Sequence, residues 1–187
     1  MANIFYRAIE FAMKAHEGQK RKDGSVYLLH PLEDAAIVGT MTNDLEILAA
    51  AVLHDTVEDT DTTAEDILRE FGERVAELVA HETEDKRPEM DAAESWKIRK
   101  EESLAVLRTS GVETKMLWLG DKLSNMRALS RDYDVIGIKV FDRFNEKDPR
   151  KQRWYHSKVL EYTSELCGFA AYKEYKELFD RVFKDYE

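Results

Sequence analysis

Side chains able to hold a metal ion and to accept a proton stand close together in residues 54–59, HDTVED. The adjacent His54 and Asp55 can bind one divalent ion if other segments of the chain supply the remaining ligands. Glu58 and Asp59 follow them at spacings of four residues, so on a continuing helix the acids would share the metal-facing side and could poise a water molecule. The competing interpretation is a solvated helix end rich in acidic residues.

Two residues elsewhere in the chain are candidates for the remaining ligands. His30 stands at the start of another predicted helix, and its alternative role is that of a packed or hydrogen-bonded histidine. Asp121 lies amid apolar neighbours, where a carboxylate is costly to bury without a compensating cation. A salt bridge from Asp121 to Lys122 or Arg127 is the alternative. Asn125 is four residues further on and shares the helix face of Asp121, so its amide could orient a water molecule or a substrate oxygen.

The elements that must position these side chains are predicted to be helices. The run LEILAAAVL directly before His54 is apolar throughout, so the inner end of its helix should be well buried. The residues typical of helix starts are Pro31, Asn43 with Glu46, and Thr63 with Asp66.

Helical patterns account for most of the chain. The predicted helices span residues 3–17, 31–41, 44–54, 63–72, 73–82, 93–109, 113–130, 135–145 and 150–186, the last with a break near Gly168. No segment alternates strongly enough to predict a strand, and the low content of 8 Gly and 3 Pro also favours helix. The sequence therefore predicts one all-α domain over residues 1–187, with no internal linker.

Composition and charge exclude several classes of protein. The 38 acidic residues against 28 Lys plus Arg give a net charge of −10, which repels a long nucleic acid but still permits a small phosphorylated ligand at a local basic cluster or metal. Cys167 is the single cysteine, so neither an intrachain disulfide nor a cysteine-based metal cluster is expected. No apolar signal core or membrane-spanning run occurs, and we expect a cytoplasmic protein.

The order of the candidate ligands along the chain resembles a known pattern. His30, His54 with Asp55, and Asp121 are similar to the metal-binding residues of the HD superfamily of metal-dependent phosphohydrolases. The resemblance implies an all-α, HD-domain helical bundle built around a central divalent metal.

Three segments narrow this resemblance. They are AHEGQKRKDGSVYLLHP (15–31), LHDTVEDT (53–60) and GDKLSNM (120–126). They resemble the hydrolase domain of the RelA/SpoT family, enzymes that remove the 3′-pyrophosphate from the alarmones (p)ppGpp. The similarity covers roughly residues 4–130, and because the chain ends at 187 without a synthetase domain, we expect a stand-alone small alarmone hydrolase.

The resemblance also implies a role for each candidate residue. It implies a metal, usually Mn²⁺, held by His30, His54, Asp55 and Asp121, water activation by Glu58 and Asp59, and nucleotide binding by Arg21, Lys22 and Asn125. The acidic pair is the most discriminating part, because a generic HD phosphohydrolase need not have it. Two nitrogen and two carboxylate donors without thiolates suit a borderline divalent ion. The basic loop offers positive charge to a polyphosphate.

Other residues are interpreted as structural. These are His16, His81 and His156, without a ligand role, and Trp154 and Tyr155, which are assigned to the core in preference to base stacking. Lys97, Arg99 and Lys100 are assigned to a solvated helix face; the alternative is that they play the part of the basic residues that follow the acidic segment in the family.

The predicted reaction is metal-dependent hydrolysis of a nucleotide phosphate, with (p)ppGpp as the expected substrate. One alternative is an HD phosphohydrolase that acts on another nucleotide, such as NADPH or a deoxynucleotide. A second alternative is an alarmone-binding module without turnover. The presence of every metal and acid position argues against that module, since a degenerate domain need not keep them all.

Overall fold

The computed structural model describes residues 3–186 and confirms the all-α class. Its α-helices are α1 (Ile4–Ala15), α2 (Leu29–Val38), α3 (Leu45–Leu53), α4 (Thr56–Asp59), α5 (Ala64–Phe71), α6 (Glu73–Glu82), α7 (Trp96–Thr109), α8 (Val112–Ile136), α9 (Pro149–Tyr162) and α10 (Ala170–Phe183). Short 3₁₀ helices span Gly137–Arg143 and Ser164–Leu166. Within residues 3–186 the backbone forms no strand, only an isolated antiparallel bridge between Lys20 and Val26.

Helix α3 is the centre of the N-terminal half of the structure. Its residues Ala49–Leu53 are all completely buried, as expected for a helix that is apolar on every face. Helices α1, α2 and α6 pack around it, and its three consecutive alanines provide a surface without bulky side chains. Because α3 is enclosed in this way, the residue at its C-terminal end, His54, lies in the interior of the protein.

Helix α8 joins the two halves of the core. Leu117 packs with the apolar residues of α1–α6, whereas Leu119, Leu123 and Met126 pack with those of α7, α9 and α10. Helix α8 lies against α2 on one side and against α10 on the other. Its middle turns are therefore buried from both sides, and the polar side chains that they carry face the interior.

The structure corrects several predicted boundaries. Helix α2 begins at Leu29, so His30 lies inside its first turn and not before it. The N-cap of α3 is Asp44, whose carboxylate accepts a hydrogen bond from the Glu46 amide at 2.9 Å, and not Asn43. The predicted helix 135–145 is divided between two elements: α8 continues to Ile136 and ends at Gly137 with a φ of 60°, and Gly137–Arg143 form a 3₁₀ helix.

Other predicted features are confirmed. Thr63 and Asp66 form a capping box at the start of α5, and that helix ends at Gly72, which has a φ of 88°. The break in the C-terminal helical segment lies at residues 163–169 and includes Gly168. In the described part of the chain, no helix is both long and apolar enough to cross a lipid bilayer.

Gly120 allows α2 and α8 to approach closely. A Cβ atom at this position would collide with the carboxyl group of Asp34 and would lie 2.7 Å from Cγ2 of Val38. Both neighbours belong to α2, and both are fully buried with stiff or short side chains. The close packing of the two helices therefore requires a residue without a side chain at position 120.

We expect Gly120→Ala to lower the free energy of unfolding by about 1–3 kcal/mol, the usual cost of overpacking a core, even though alanine is the better helix former. Urea denaturation measures this change through the transition midpoint. Gly168→Ala is the matched control, because a Cβ there would meet no atom within 4 Å, and it should leave stability equal or slightly raised. A Gly120→Ala protein as stable as the wild type would contradict the steric role of this position.

Candidate metal centre

Three helices bring the candidate ligands to one point in the interior. Donor atoms of His30 on α2, His54 at the end of α3, and Asp121 on α8 all lie within 4.8 Å of one another, and all three residues are buried. The Oδ2 atom of Asp55 lies 3.0 Å from Nε2 of His54 and 3.5 Å from Nε2 of His30. Two imidazole nitrogens and two carboxylates, distant in sequence, therefore converge as a set of possible metal ligands.

Hydrogen bonds determine which nitrogen of each imidazole faces this point. Nδ1 of His54 lies 2.8 Å from the carbonyl oxygen of Ala51, and because a carbonyl only accepts, Nδ1 carries the hydrogen. Nδ1 of His30 lies 2.9 Å from the hydroxyl of Ser124, which itself donates to Glu33 at 2.8 Å. The hydroxyl is thus the acceptor for His30. In both rings Nε2 is left free to act as a ligand.

The charges of the cluster are unbalanced without a cation or additional protons. Nε2 of His30 lies 3.1 Å from Oδ1 of Asp121, so a nitrogen lone pair and a carboxylate oxygen face each other. Nε2 of His54 has no hydrogen-bond partner among the described residues. Unpaired nitrogen lone pairs next to carboxylate oxygens form a ligand set that suits a divalent ion. The family implication of a metal at this position therefore agrees with the geometry.

The electrostatics keep both candidate carboxylates ionised. Burial raises the pKa of Asp121, but the charge of Lys122, together with the two histidines in their protonated form, outweighs it and holds the pKa well below its usual range. Burial also raises the pKa of Asp55, and the protonated forms of His54 and His30 overcome this and lower it. Asp121 satisfies both interpretations of its sequence context, because Oδ1 faces the histidines while Oδ2 pairs with Lys122.

The acidic pair borders the same site, although not on a continuous helix as the sequence predicts. Helix α3 ends at Leu53, and the short helix α4 carries Glu58 and Asp59. Glu58 accepts a hydrogen bond from the Glu84 amide at 3.0 Å. The side chains of the pair are only 19% and 22% exposed, so they are not the solvated helix-end carboxylates of the competing interpretation. Burial, together with nearby carboxylates, raises the pKa of Glu58 to about 7.

Tyr27 links the acidic pair to the candidate ligands, and sequence reasoning missed it. Its hydroxyl lies 2.6 Å from Oδ2 of Asp55 and 2.5 Å from Oδ2 of Asp59. A phenol has a single hydrogen and can donate to one of these oxygens at a time. Lys86, also missed, pairs with Asp59 from the opposite side. The sequence signal that could have identified Tyr27 is its position three residues before the candidate ligand His30.

The basic loop reaches the cluster through one amide. Arg21 donates a hydrogen bond to Oδ1 of Asn125 at 2.8 Å, and Nδ2 of Asn125 donates to Oδ1 of Asp121 at 2.5 Å. Lys22 lies over the ring of Phe144 at 4.6 Å from its centroid. Burial, aided by the charges of Lys100 and Arg21, lowers the pKa of Lys22. The two basic residues predicted to meet a nucleotide therefore face the same cavity as the candidate ligands.

This cavity has a volume of about 490 Å³, and all nine candidate site residues border it. Arg99 and Lys100, predicted to be solvated, instead line its wall, where both pair with Glu84 at 2.9 and 2.6 Å. Lys97 stays exposed, as predicted. Tyr155 is buried as predicted, but it also borders the cavity, and its hydroxyl has no hydrogen-bond partner in the described part of the chain.

The remaining histidines have structural partners. Nδ1 of His16 lies 2.7 Å from Oε1 of Gln19, and Nδ1 of His81 lies 3.2 Å from the hydroxyl of Thr114. His156 lies on the cavity wall with Nδ1 at 2.7 Å from the hydroxyl of Tyr175. Burial, with the charges of Lys122 and Lys100, lowers the pKa of His156 to about 3, so this ring stays neutral.

Comparisons with known proteins agree with the geometry. The chain is 41% identical over 128 residues to the guanosine-3′,5′-bis(diphosphate) 3′-pyrophosphohydrolase of Aquifex aeolicus (strain VF5), covering 68% of this chain and 18% of that protein. It is 34% identical over 130 residues to the GTP pyrophosphokinase of Myxococcus xanthus, covering 68% of this chain and 17% of that protein. The chain therefore spans less than a fifth of the length of these curated relatives.

Two solved structures share the fold along most of their length. One is a metazoan ortholog of SpoT described as hydrolysing ppGpp, with a TM-score of 0.72, 25% identity, and coverage of 98% of this chain and 96% of that chain. The other is a protein of Listeria monocytogenes EGD-e, with a TM-score of 0.71, 32% identity, and coverage of 83% and 94%.

The HD domain family matches residues 8–144, a range that contains all nine candidate site residues. Because this match extends over more than half of the chain and includes the converging histidines and carboxylates, the chain belongs to the HD domain family.

Proposed function

We propose that this protein is a metal-dependent pyrophosphohydrolase that removes the 3′-pyrophosphate from guanosine 3′,5′-bis(diphosphate), with Mn²⁺ as its metal. The observation that carries the proposal is the convergence of His30, His54 and Asp121 at a cavity that also contains the Arg21–Asn125 pair. The similarity to the Aquifex aeolicus hydrolase and to the metazoan SpoT ortholog supports the choice of substrate.

The proposed metal ligands are His30, His54, Asp55 and Asp121. When bound, a divalent ion supplies Lewis acidity to the phosphoryl group and to a water molecule. The two imidazoles offer Nε2 because their Nδ1 hydrogens are already donated to Ser124 and Ala51. Asn125 fixes the orientation of the Asp121 carboxylate through the hydrogen bond to its Oδ1.

Glu58 and Asp59 are the proposed proton acceptors. One of them takes a proton as the water oxygen attacks the phosphorus attached to the 3′ oxygen. The bond between that phosphorus and the 3′ oxygen breaks, the 3′ oxygen takes up a proton, and pyrophosphate leaves. Tyr27 and Lys86 hold Asp59, and the Glu84 amide holds Glu58, so both carboxylates are positioned before a substrate arrives.

Arg21 and Lys22 are the proposed contacts for the nucleotide. Their positive charges stand beside the candidate ligands on a protein that is otherwise acidic, which favours a polyphosphate in this cavity. The bond from Arg21 to Asn125 holds the guanidinium in place, with further donors available to a ligand.

We also propose that residues 3–186 act as one hydrolase unit, because α8 contributes to both parts of the core. The free, exposed Cys167 is compatible with a reducing compartment, and we propose a cytoplasmic location.

The direct test of the proposed function is a substrate panel of ppGpp, NADPH and a deoxynucleoside triphosphate with purified protein and Mn²⁺. We expect ppGpp to be converted to GDP and pyrophosphate, with activity lost in a chelator and restored by Mn²⁺. Product analysis by chromatography and a pyrophosphate assay measures this. Turnover of NADPH or the deoxynucleotide alone would instead favour another HD phosphohydrolase, and binding of ppGpp without turnover would favour a regulatory module.

We expect Glu58→Gln and Asp59→Asn to separate water activation from metal binding. The variant that removes the proton acceptor should lose about 10²–10⁴-fold in kcat, the range typical of general-base loss, while Mn²⁺ binding is retained. Asp61→Asn is the matched control, since Asp61 is exposed and does not border the cavity, and it should keep normal activity. Near-normal kcat in both cavity variants would contradict the role of the pair.

We expect Arg21→Ala to weaken nucleotide binding more than metal binding. Loss of a charge-assisted hydrogen bond costs about 1.5–3 kcal/mol, which corresponds to a roughly 10–100-fold rise in KM. Steady-state kinetics measure KM, and calorimetry with Mn²⁺ measures the metal affinity. Arg131→Ala is the control, because Arg131 is exposed and lies outside the cavity. A Mn²⁺ affinity that falls as much as the substrate affinity would show that Arg21 acts on the metal centre and not on the nucleotide.

A further inference from the structure

Asp34 is a completely buried carboxyl group with no hydrogen-bond partner. It lies on α2, one turn after His30, with 0% of its surface exposed. Neither Oδ1 nor Oδ2 makes a hydrogen bond to any described residue. Burying an unpaired acid is costly, and an apolar side chain would fill this place without that cost. The group therefore needs an explanation other than packing.

The position of Asp34 supplies that explanation. Its Oδ2 lies 3.3 Å from Nδ1 of His54, beside the carbonyl oxygen of Ala51 that accepts the Nδ1 hydrogen. The opposite nitrogen of the same ring, Nε2, is the proposed metal ligand. Asp34 thus stands directly behind His54, on the side of the imidazole that faces away from the metal centre.

A second observation shows that the surrounding structure accommodates this carboxyl group. The residue facing it on α8 is Gly120, and any Cβ atom at that position would collide with Oδ1 of Asp34. A side chain at position 120 of α8 would displace the carboxyl group of Asp34, and glycine leaves room for it. Gly120 directly precedes Asp121, another proposed ligand, so the contact joins α2 and α8 at the level of the metal centre.

We propose that Asp34 is a positioning residue for the metal centre, which holds the His54 imidazole with Nε2 toward the ion and stabilises the positive charge that the ring gains on metal binding. This inference rests on the proposed metal site. A carboxylate behind a ligating histidine raises the basicity of the ligand, and loss of such a partner typically weakens metal affinity about 10–100-fold.

The test is calorimetric titration of the metal-free full chain with MnCl₂ in the absence of substrate. We expect Asp34→Asn, which keeps the shape and replaces the carboxyl group by an amide, to weaken Mn²⁺ affinity about 10–100-fold. The melting temperature of the metal-free variant should not fall, because asparagine keeps the shape of Asp34 and no hydrogen bond to a described residue is lost. Asp34→Ala is the second variant. Alanine has no polar side-chain group, so it tests the same inference if the buried amide of asparagine disturbs folding.

Two further arms separate this inference from the proposed metal site. His30→Ala should abolish Mn²⁺ binding, whereas His81→Ala, a histidine outside the cavity, should leave it unchanged. If wild type binds Mn²⁺ and His30→Ala does not, the proposed metal site is supported independently of the result for Asp34.

Mn²⁺ affinity within twofold of wild type in the Asp34 variants would then overturn the inference about Asp34 alone. A fall in metal-free melting temperature that accompanies weaker binding would also overturn it, since Asp34 would then be structural. A wild type that binds no Mn²⁺ would overturn both.

Discussion

The structure depends on one electrostatic constraint: the carboxylates of buried Asp121 and partly buried Asp55 face the Nε2 atoms of two buried histidines at a common point. Nε2 of His54 lies 3.0 Å from Asp55, and Nε2 of His30 lies 3.1 Å from Asp121. Such a cluster is tolerated in a protein interior only where positive charge compensates it. Small residues at the helix contacts, the alanines of α3 and Gly120 of α8, let α2, α3 and α8 approach each other closely. This close approach brings the candidate ligands together.

Hydrogen bonds behind the two histidines fix the orientation of both rings. His30 donates to Ser124, which donates to Glu33, and Glu33 accepts at 3.1 Å from Arg127, which also pairs with Glu174 on α10. This series connects the ring orientation of His30 to the C-terminal helices, outside the range of the family motifs. Nδ1 of His54 instead contacts the Ala51 carbonyl of its own helix, and the Asp34 carboxyl group lies beside the same nitrogen. The metal centre is thus supported from both halves of the core.

Local sequence patterns predict several of the helices that form the site, whereas contacts between distant segments cannot be predicted from them. The apolar run before His54 and the capping box at Thr63 are read from neighbouring residues, so α3 and α5 were predictable. In the sequence, Asp34 cannot be distinguished from an exposed acidic residue on a helix. Its burial results from the packing of α8 against α2, which the local sequence pattern does not reveal. Arg99 was misassigned to a solvated face for the same reason: its partner Glu84 is fifteen residues earlier, beyond the reach of helical periodicity.

The cavity has basic side chains on two sides, and their pairing with carboxylates decides where a polyphosphate would lie. The basic loop has Arg21 tied to a neutral amide, so its positive charge is uncompensated. Arg99 and Lys100 on the far wall are both paired with Glu84, and Lys122 is paired with Asp121. Among the described residues, an anion entering the cavity meets Arg21 without a paired carboxylate, whereas at the far wall it must compete with the single carboxylate of Glu84 for Arg99 and Lys100. In the proposed reaction, attraction at the loop would orient the nucleotide, and the metal centre would hold the phosphate to be cleaved.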